Sequence, residues 1–353
     1  MHTCALFMAT TIKDIARKTG FTHSTVSRAL NGSSLISEET ISIVTKAARD
    51  MGYHPSAAAR SLKTNQTRAL GVVVRNIDDP FFSEVLQGVE DIARERGYSI
   101  FISSSMNDPN REQSIVESMR EHRVDGIIIC STSFSASQSR HLQDYDVPIV
   151  VVNNQASEDY RFAISHDDVD GSRQITRHLI ELGHQHIAYL GNSISGRTNL
   201  ERLSGFQQEM AAHGITVLPE NLILVPGGEP AMGSLGAEKF IALTNQPSGL
   251  VCFNDMMAIG VLRKFEEAGI RIPEDCSVTG FDNISFSEFS NPPLTTFDQP
   301  KHFIGAEAAG LALELLQQKH EGNGHDPVNR LLKGNLLVRQ STTSPQKSGS
   351  IEK

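Results

Sequence analysis

The four cysteines of this 353-residue chain, Cys4, Cys130, Cys252 and Cys276, lie far apart and form no C-x-x-C pair. That spacing excludes a disulfide framework and a zinc site, and leaves the reduced thiols of a cytosolic protein. No stretch is long and apolar enough to span a bilayer, and Met1 to Phe7 lacks the basic flank and apolar run of a signal peptide. The chain is therefore expected in the cytoplasm, with no membrane partner. Met8 stands just before a helix start, so residues 1–9 read as an N-terminal extension. Catalytic signatures are missing too: there is no P-loop, no G-x-G-x-x-G and no G-x-S-x-G. The run Ser165-His166-Asp167-Asp168-Val169-Asp170-Gly171 lacks the alternating ligands and distant glutamate of a calcium loop, and reads instead as a helix start. Gly183-His184-Gln185-His186 has no third ligand nearby. We expect no catalytic residue, no metal and no cofactor.

What is present is a hydrophobic content of 39%, ordinary for a soluble protein, in a chain long enough for one small and one large folded unit. The net charge of -9 is unevenly spread. Through Arg68 there are nine Lys/Arg against four Asp/Glu, a balance of +5, whereas the remainder carries 23 basic and 37 acidic residues, a balance of -14. A basic end on an acidic body fits a protein whose end alone approaches phosphate.

Within that basic end, Thr11-Ile12-Lys13-Asp14 is a capping box, and Ile12, Ile15 and Ala16 fall on one face of the helix that follows. After the turn at Gly20, residues 23–31 place Val26, Ala29 and Leu30 on one face and His23, Ser24, Ser27 and Arg28 on the other. Ser37 caps a third helix with Glu38 and Glu39 in its first turn, and Ile41, Val44, Ala48 and Met51 point inward. The pattern alone allows a small helical bundle with a solvated face. The polar face of the second helix also suits base edges, with Arg28 able to bind guanine in bidentate fashion. From Pro55 to Leu62 a proline, a run of alanines and Arg60 make a segment too short for a stable isolated helix. It is either an Ala-rich linker or an element that folds on binding.

The runs Thr11-Ile12-Lys13-Asp14-Ile15-Ala16, Thr25-Val26-Ser27-Arg28-Ala29-Leu30-Asn31-Gly32 and Gly52-Tyr53-His54-Pro55-Ser56-Ala57-Ala58-Ala59-Arg60-Ser61-Leu62 closely resemble the DNA-binding head of the LacI/GalR family. The resemblance implies that His23, Ser24 and Arg28 read bases while Thr25, Ser27 and Thr11 position the head on the DNA backbone. It implies a hinge helix over residues 54–68 that enters the minor groove, with Ala59 and Leu62 at the contact and Leu62 as a wedge.

Beyond residue 69, β-type runs at Leu70–Val74, Ser99–Ile102, Gly126–Ile129, Ile149–Val152, Ile187–Leu190, Leu250–Phe253 and Val278–Phe281 alternate with amphipathic stretches. Repeated βαβ units predict parallel sheets covered by helices, and the length predicts two lobes. The overall expectation is a small all-α helix-turn-helix head over 10–53 plus a two-lobed α/β sensor over 69–340, with a disordered tail over 341–353. The resemblance adds that the sensor is similar to periplasmic binding proteins, with the chain crossing between lobes near Asp167, Asp298 and the last strand.

Ligands of such sheets collect at the carboxyl ends of strands. There, Asp79, Phe81 and Phe82 offer a carboxylate and ring faces suited to a sugar, or else a helix cap and core phenylalanines. The resemblance maps further effector contacts to Asn254, Asp282 and Arg202, and a polar contact to Asn153. The Asp79-Pro80-Phe81-Phe82 run is closer to sugar-binding members, so a sugar or sugar acid is expected. The function expected is a repressor working as a homodimer on pseudo-palindromic double-stranded operator DNA under allosteric control. The alternatives are a purine or phosphoprotein as effector, or a solute-binding protein or enzyme on the same fold.

Overall fold

The computed structural model describes residues 10–53, 66–130, 145–152, 160–320 and 326–346. The extension over 1–9, most of the expected hinge including Ala59 and Leu62, and Asn153 lie outside the described residues. Contacts divide the chain into two units, with the boundary between Thr67 and Arg68.

The head consists of α1 (Ile12–Thr19), α2 (His23–Leu30) and α3 (Glu38–Asp50). Asp14 accepts from the backbone N–H and the hydroxyl of Thr11, which fixes the start of α1. Gly20 ends that helix at a φ of 76°, a conformation glycine adopts without a Cβ clash. Thr22 and Ser37 cap the other two helices by accepting from the N–H groups of Thr25 and Thr40. The apolar positions then meet in one small core of Ile15, Val26, Ala29, Val44, Ala47 and Ala48, flanked by Ile12, Leu30, Ile41 and Met51.

The larger unit holds two six-stranded sheets. The first has the order β11-β5-β4-β3-β1-β2, with β1 Ala69–Val74, β2 Ser99–Ser104, β3 Gly126–Ile129, β4 Ile149–Val152, β5 Phe162–His166 and β11 Val328–Leu332. The second has the order β12-β10-β9-β8-β6-β7, with β6 Ile187–Asn192, β7 Leu222–Val225, β8 Gly249–Cys252, β9 Ser277–Asp282, β10 Thr295–Asp298 and β12 Asn335–Leu337. All pairings are parallel except β10 with β12, which is antiparallel. Buried on both faces, β1, β3 and β6 read as unbroken apolar runs. The chain leaves the first lobe after β5, returns after β10 and crosses again between β11 and β12. Three connections therefore join the lobes beside their facing strand ends.

Each lobe is closed by two helices crossing at glycines. In the first, Gly88 of the helix Pro80–Glu95 meets Gly305 of the helix Lys301–His320: a Cβ on Gly88 would stand 1.9 Å from the His302 carbonyl oxygen. In the second, a Cβ on Gly233 would stand 2.0 Å from the Met257 carbonyl oxygen, and one on Gly260 2.0 Å from that of Pro230. Backbone cannot yield as a side-chain tip can. Gly88→Ala is therefore expected to destabilise by about 1–3 kcal/mol through overpacking, outweighing the helix-propensity gain of about 1 kcal/mol. The urea midpoint of the variant checks this.

The expected disordered tail is corrected over its first residues. Ser341 accepts from the Val278 N–H, its hydroxyl donates to the Val278 carbonyl and accepts from the Thr295 N–H, and His184 donates to the Thr343 carbonyl. Polar residues without periodicity look like a free end in sequence. Here they satisfy buried backbone groups and His184, which explains that histidine without a metal.

Candidate DNA-reading face and effector cleft

On α2 the side chains of His23, Ser24 and Arg28 are exposed, while Val26 and Ala29 are buried beneath them. No side-chain partner holds Arg28 among the described residues. Thr25 shares a hydroxyl hydrogen bond with Thr22 at 2.9 Å, and the Ser27 carbonyl accepts from the Asn31 amide. Thr11 and Thr25 thus stiffen helix N-termini, whose free N–H groups favour anions. Thr22 escaped the sequence analysis, although a threonine just before a helix is the ordinary signal for a cap.

The residues expected at the sensor site fall into two groups. Asp79 caps its helix by accepting from the Phe81 N–H, and Phe81 and Phe82 pack edge-to-face in the first lobe's core with Val72, Val85 and Ile304. Their rings, 5% and 3% exposed, build that lobe. The Arg202 guanidinium stacks on Phe281 and Phe253, 3.7 Å and 4.6 Å from their centroids, two rings as deeply buried as Phe81 and Phe82.

Arg202 and Asp282 do come together. Arg202 donates through Nε to Asp168 at 2.7 Å, through Nη1 to the Phe253 carbonyl and through Nη2 to Asp282 at 3.4 Å. Asp168 also bonds His166 Nε2 at 2.9 Å, so a buried His166–Asp168–Arg202 chain orients the guanidinium. Burial would raise the Asp168 pKa, but His166 and Arg202 outweigh it and hold the carboxyl below its ordinary range. Asp168, dismissed above as part of a helix start, is the residue sequence reasoning missed here. Its only signal was a second carboxylate after the capping Asp167.

Asn254 caps its helix through Oδ1, which accepts from the Met257 N–H, leaving its Nδ2 to face Gly228. Asn192 turns its Nδ2 to the same place: a Cβ on Gly228 would lie 3.2 Å from one amide nitrogen and 3.3 Å from the other. The glycine keeps open a space into which two amide donors point.

Asp282 sits at a φ of 113°, costly for a residue with a side chain. The buried Lys301 ammonium pins the turn by donating to the carbonyls of Asp282 and Asn283, and Gln299 donates to the Asp282 carboxyl at 2.6 Å. Burial pushes the Asp282 pKa up to about 8, with Asp255 and Asp79 adding to the rise and Arg202 and Lys301 opposing it. A carboxyl that keeps its proton in the native state but not in the unfolded chain makes stability fall with rising pH, here between its ordinary 3.8 and about 8. Asp282→Asn is expected to flatten that slope, which urea unfolding at pH 5 and pH 8 measures.

Among the described residues no helix is long and apolar enough to cross a membrane, and no cluster of three or more His, Cys, Asp or Glu is placed to hold a metal. A helical head with an exposed polar face, followed in the chain by two lobes around a polar cleft, is the arrangement of a DNA-binding regulator. Residues 11–56 match the family described as bacterial regulatory proteins, lacI family, and residues 176–342 match the periplasmic binding protein-like domain. The HTH-type transcriptional repressor PurR of Vibrio atlanticus is 36% identical over 313 residues, covering 88% of this chain and 93% of the relative. The lac repressor dimer bound to operator and the anti-inducer ONPF superposes with a TM-score of 0.84 at 26% identity, over 95% of this chain and 100% of that one. A LacI family transcriptional regulator from Enterococcus faecium with bound ribose gives 0.68 at 28%, over 78% and 99%. The chain belongs to the lacI family of bacterial regulatory proteins. It is a DNA-binding transcriptional repressor and not an enzyme.

Proposed function

We propose that this repressor acts in the cytoplasm as a homodimer, reads a pseudo-palindromic operator with His23, Ser24 and Arg28, and changes its operator affinity when a small molecule fills the cleft between its lobes. Thr11, Thr25 and Ser27 position the head on phosphates, and Ala59 and Leu62 enter the minor groove. Effector binding acts by favouring one lobe arrangement over another.

For the effector, kinship with repressors called PurR favours a purine over the sugar or sugar acid expected from the sequence. The observation that carries this reading is the Asp282 acceptor lying 3.4 Å from the Arg202 donor, with Asn254 and Asn192 adding donors nearby. An oxopurine edge presents an N–H beside a carbonyl, which such a pair complements. A sugar is the second reading, favoured by the ribose-bound regulator of the same fold. Operator affinity measured at fixed salt with hypoxanthine, guanine, ribose and glucose separates the two. A response to sugars alone would overturn the purine.

The dimer is supported by two unpaired sheet edges. The edge strand β2 exposes Phe101 and Ile102, 58% and 41% accessible, and the edge strand β7 exposes Leu224. Phe101→Lys is expected to yield monomers in sedimentation and to weaken operator binding at least about tenfold, because one head then reads one half-site.

A further inference from the structure

Arg75 follows β1 directly, at the strand end where the cleft opens. Its backbone is anchored: the carbonyl accepts from the Met106 N–H and the Ser104 hydroxyl, both at 2.8 Å. Its side chain is not. Among the described residues the Nε is shut off from solvent and donates to no acceptor, and no carboxylate closes an ion pair on the guanidinium. An arginine cannot shed its charge, so a guanidinium whose Nε is buried without an acceptor is held there against part of its own solvation.

The surrounding charges leave that need unmet. Asp79, Asp282 and Glu112 attract the guanidinium and Arg202, from the other lobe, repels it. Asp79 is engaged with the Phe81 N–H, and Arg202 already has Asp168. The Asp282 carboxyl already accepts from Arg202 and from Gln299. The amide nitrogens of Asn192 and Asn254, both turned toward Gly228, add further donors to the second lobe.

We propose that the effector carries an anionic group, a phosphate or a carboxylate, and that Arg75 is the residue that recognises it. This rests on the reading that a small molecule occupies the cleft. It does not depend on whether that molecule is a purine or a sugar.

The test is calorimetric titration of the full-length protein with matched pairs: guanine against guanosine monophosphate, ribose against ribose 5-phosphate, glucose against gluconate. In at least one pair the charged member is expected to bind about tenfold or more tightly than its neutral partner, the size of one charge-assisted hydrogen bond. Arg75→Gln removes that margin and Arg75→Lys restores part of it. Without ligand, Arg75→Gln is expected to raise Tm by about 1–3 °C, because it deletes a charge with no direct ion-pair partner. Neutral members that bind as well as their charged partners in every pair that binds overturn the proposal, as does a lowered ligand-free Tm. If guanine alone binds, unaffected by Arg75→Gln, the purine reading survives and this inference fails. Should only sugar phosphates or gluconate bind with an Arg75-dependent margin, the purine reading fails and this inference stands. Binding by no member of any pair sinks both.

Discussion

Arg202→Met is expected to lower the unfolding free energy by about 3–5 kcal/mol and to abolish the effector response of operator binding. Arg202 is 4% exposed and engages Asp168, the Phe253 carbonyl and Asp282, while stacked on Phe281 and Phe253. Methionine fills much of the volume but leaves Asp168 as a buried carboxylate with His166 alone. Removing one partner of a buried pair is far more damaging than never having had the pair. Arg202→Lys keeps a charge but not the fork, and should fall between the two proteins. Urea midpoints rank the two variants and the unsubstituted protein, and an unshifted midpoint for Arg202→Met would mean that Asp168 has found another partner. Because the network joins residues of both lobes' crossover and cleft, loss of effector response should accompany loss of stability.

Arg28→Ala should leave stability and effector binding alone and act on DNA. The residue is exposed on α2, with the buried Val26 and Ala29 holding the helix from below. A bidentate arginine–guanine contact contributes about 1–3 kcal/mol of discrimination, so a dimer with two half-sites loses about 2–6 kcal/mol of specific binding. Non-specific binding, which depends on phosphate contacts, should hardly change. A specific operator bound equally well by both proteins would remove Arg28 from the reading face.

Much of this was legible in the sequence because it is local. A cap, a turn and a period of 3.6 concern residues within a few positions, so Thr11, Ser37 and the apolar faces of the three head helices could be placed from spacing alone. Buried parallel strands were legible for the same reason, as unbroken apolar runs. The strands missed, β5, β7, β10, β11 and β12, are short, and several carry polar residues. In β10, Thr295 and Thr296 are wholly buried, which is tolerable because Ser341, Arg339 and Asp255 hydrogen-bond to them across the lobe. Propensity cannot register such distant partners.

The sensor site divides along the same line. Asp282, Arg202 and Asn254 were legible through family resemblance, and the fold brings Arg202 and Asp282 within 3.4 Å. Phe81 and Phe82 show the opposite. Two aromatics after a carboxylate fit a sugar platform or a capped helix with core rings, and the fold packs both rings into the first lobe's core behind the Asp79 cap. Arg75 and Asn192 left no mark in the sequence and Asp168 only that of a second carboxylate, since a single charged or amide residue after a strand is commonplace.

The sequence by itself therefore determined that a basic helical head which reads DNA precedes a two-lobed α/β body without catalytic motifs. Those properties follow from charge balance, periodicity and contiguous motifs, all carried by near neighbours. Only the tertiary structure decided how the charged groups of the cleft are paired: which carboxylate holds Arg202, which rings it stacks on, and that the Arg75 Nε finds no acceptor among the described residues. Those depend on residues far apart in the chain meeting in a low-dielectric space, where a charge gains or lacks its complement.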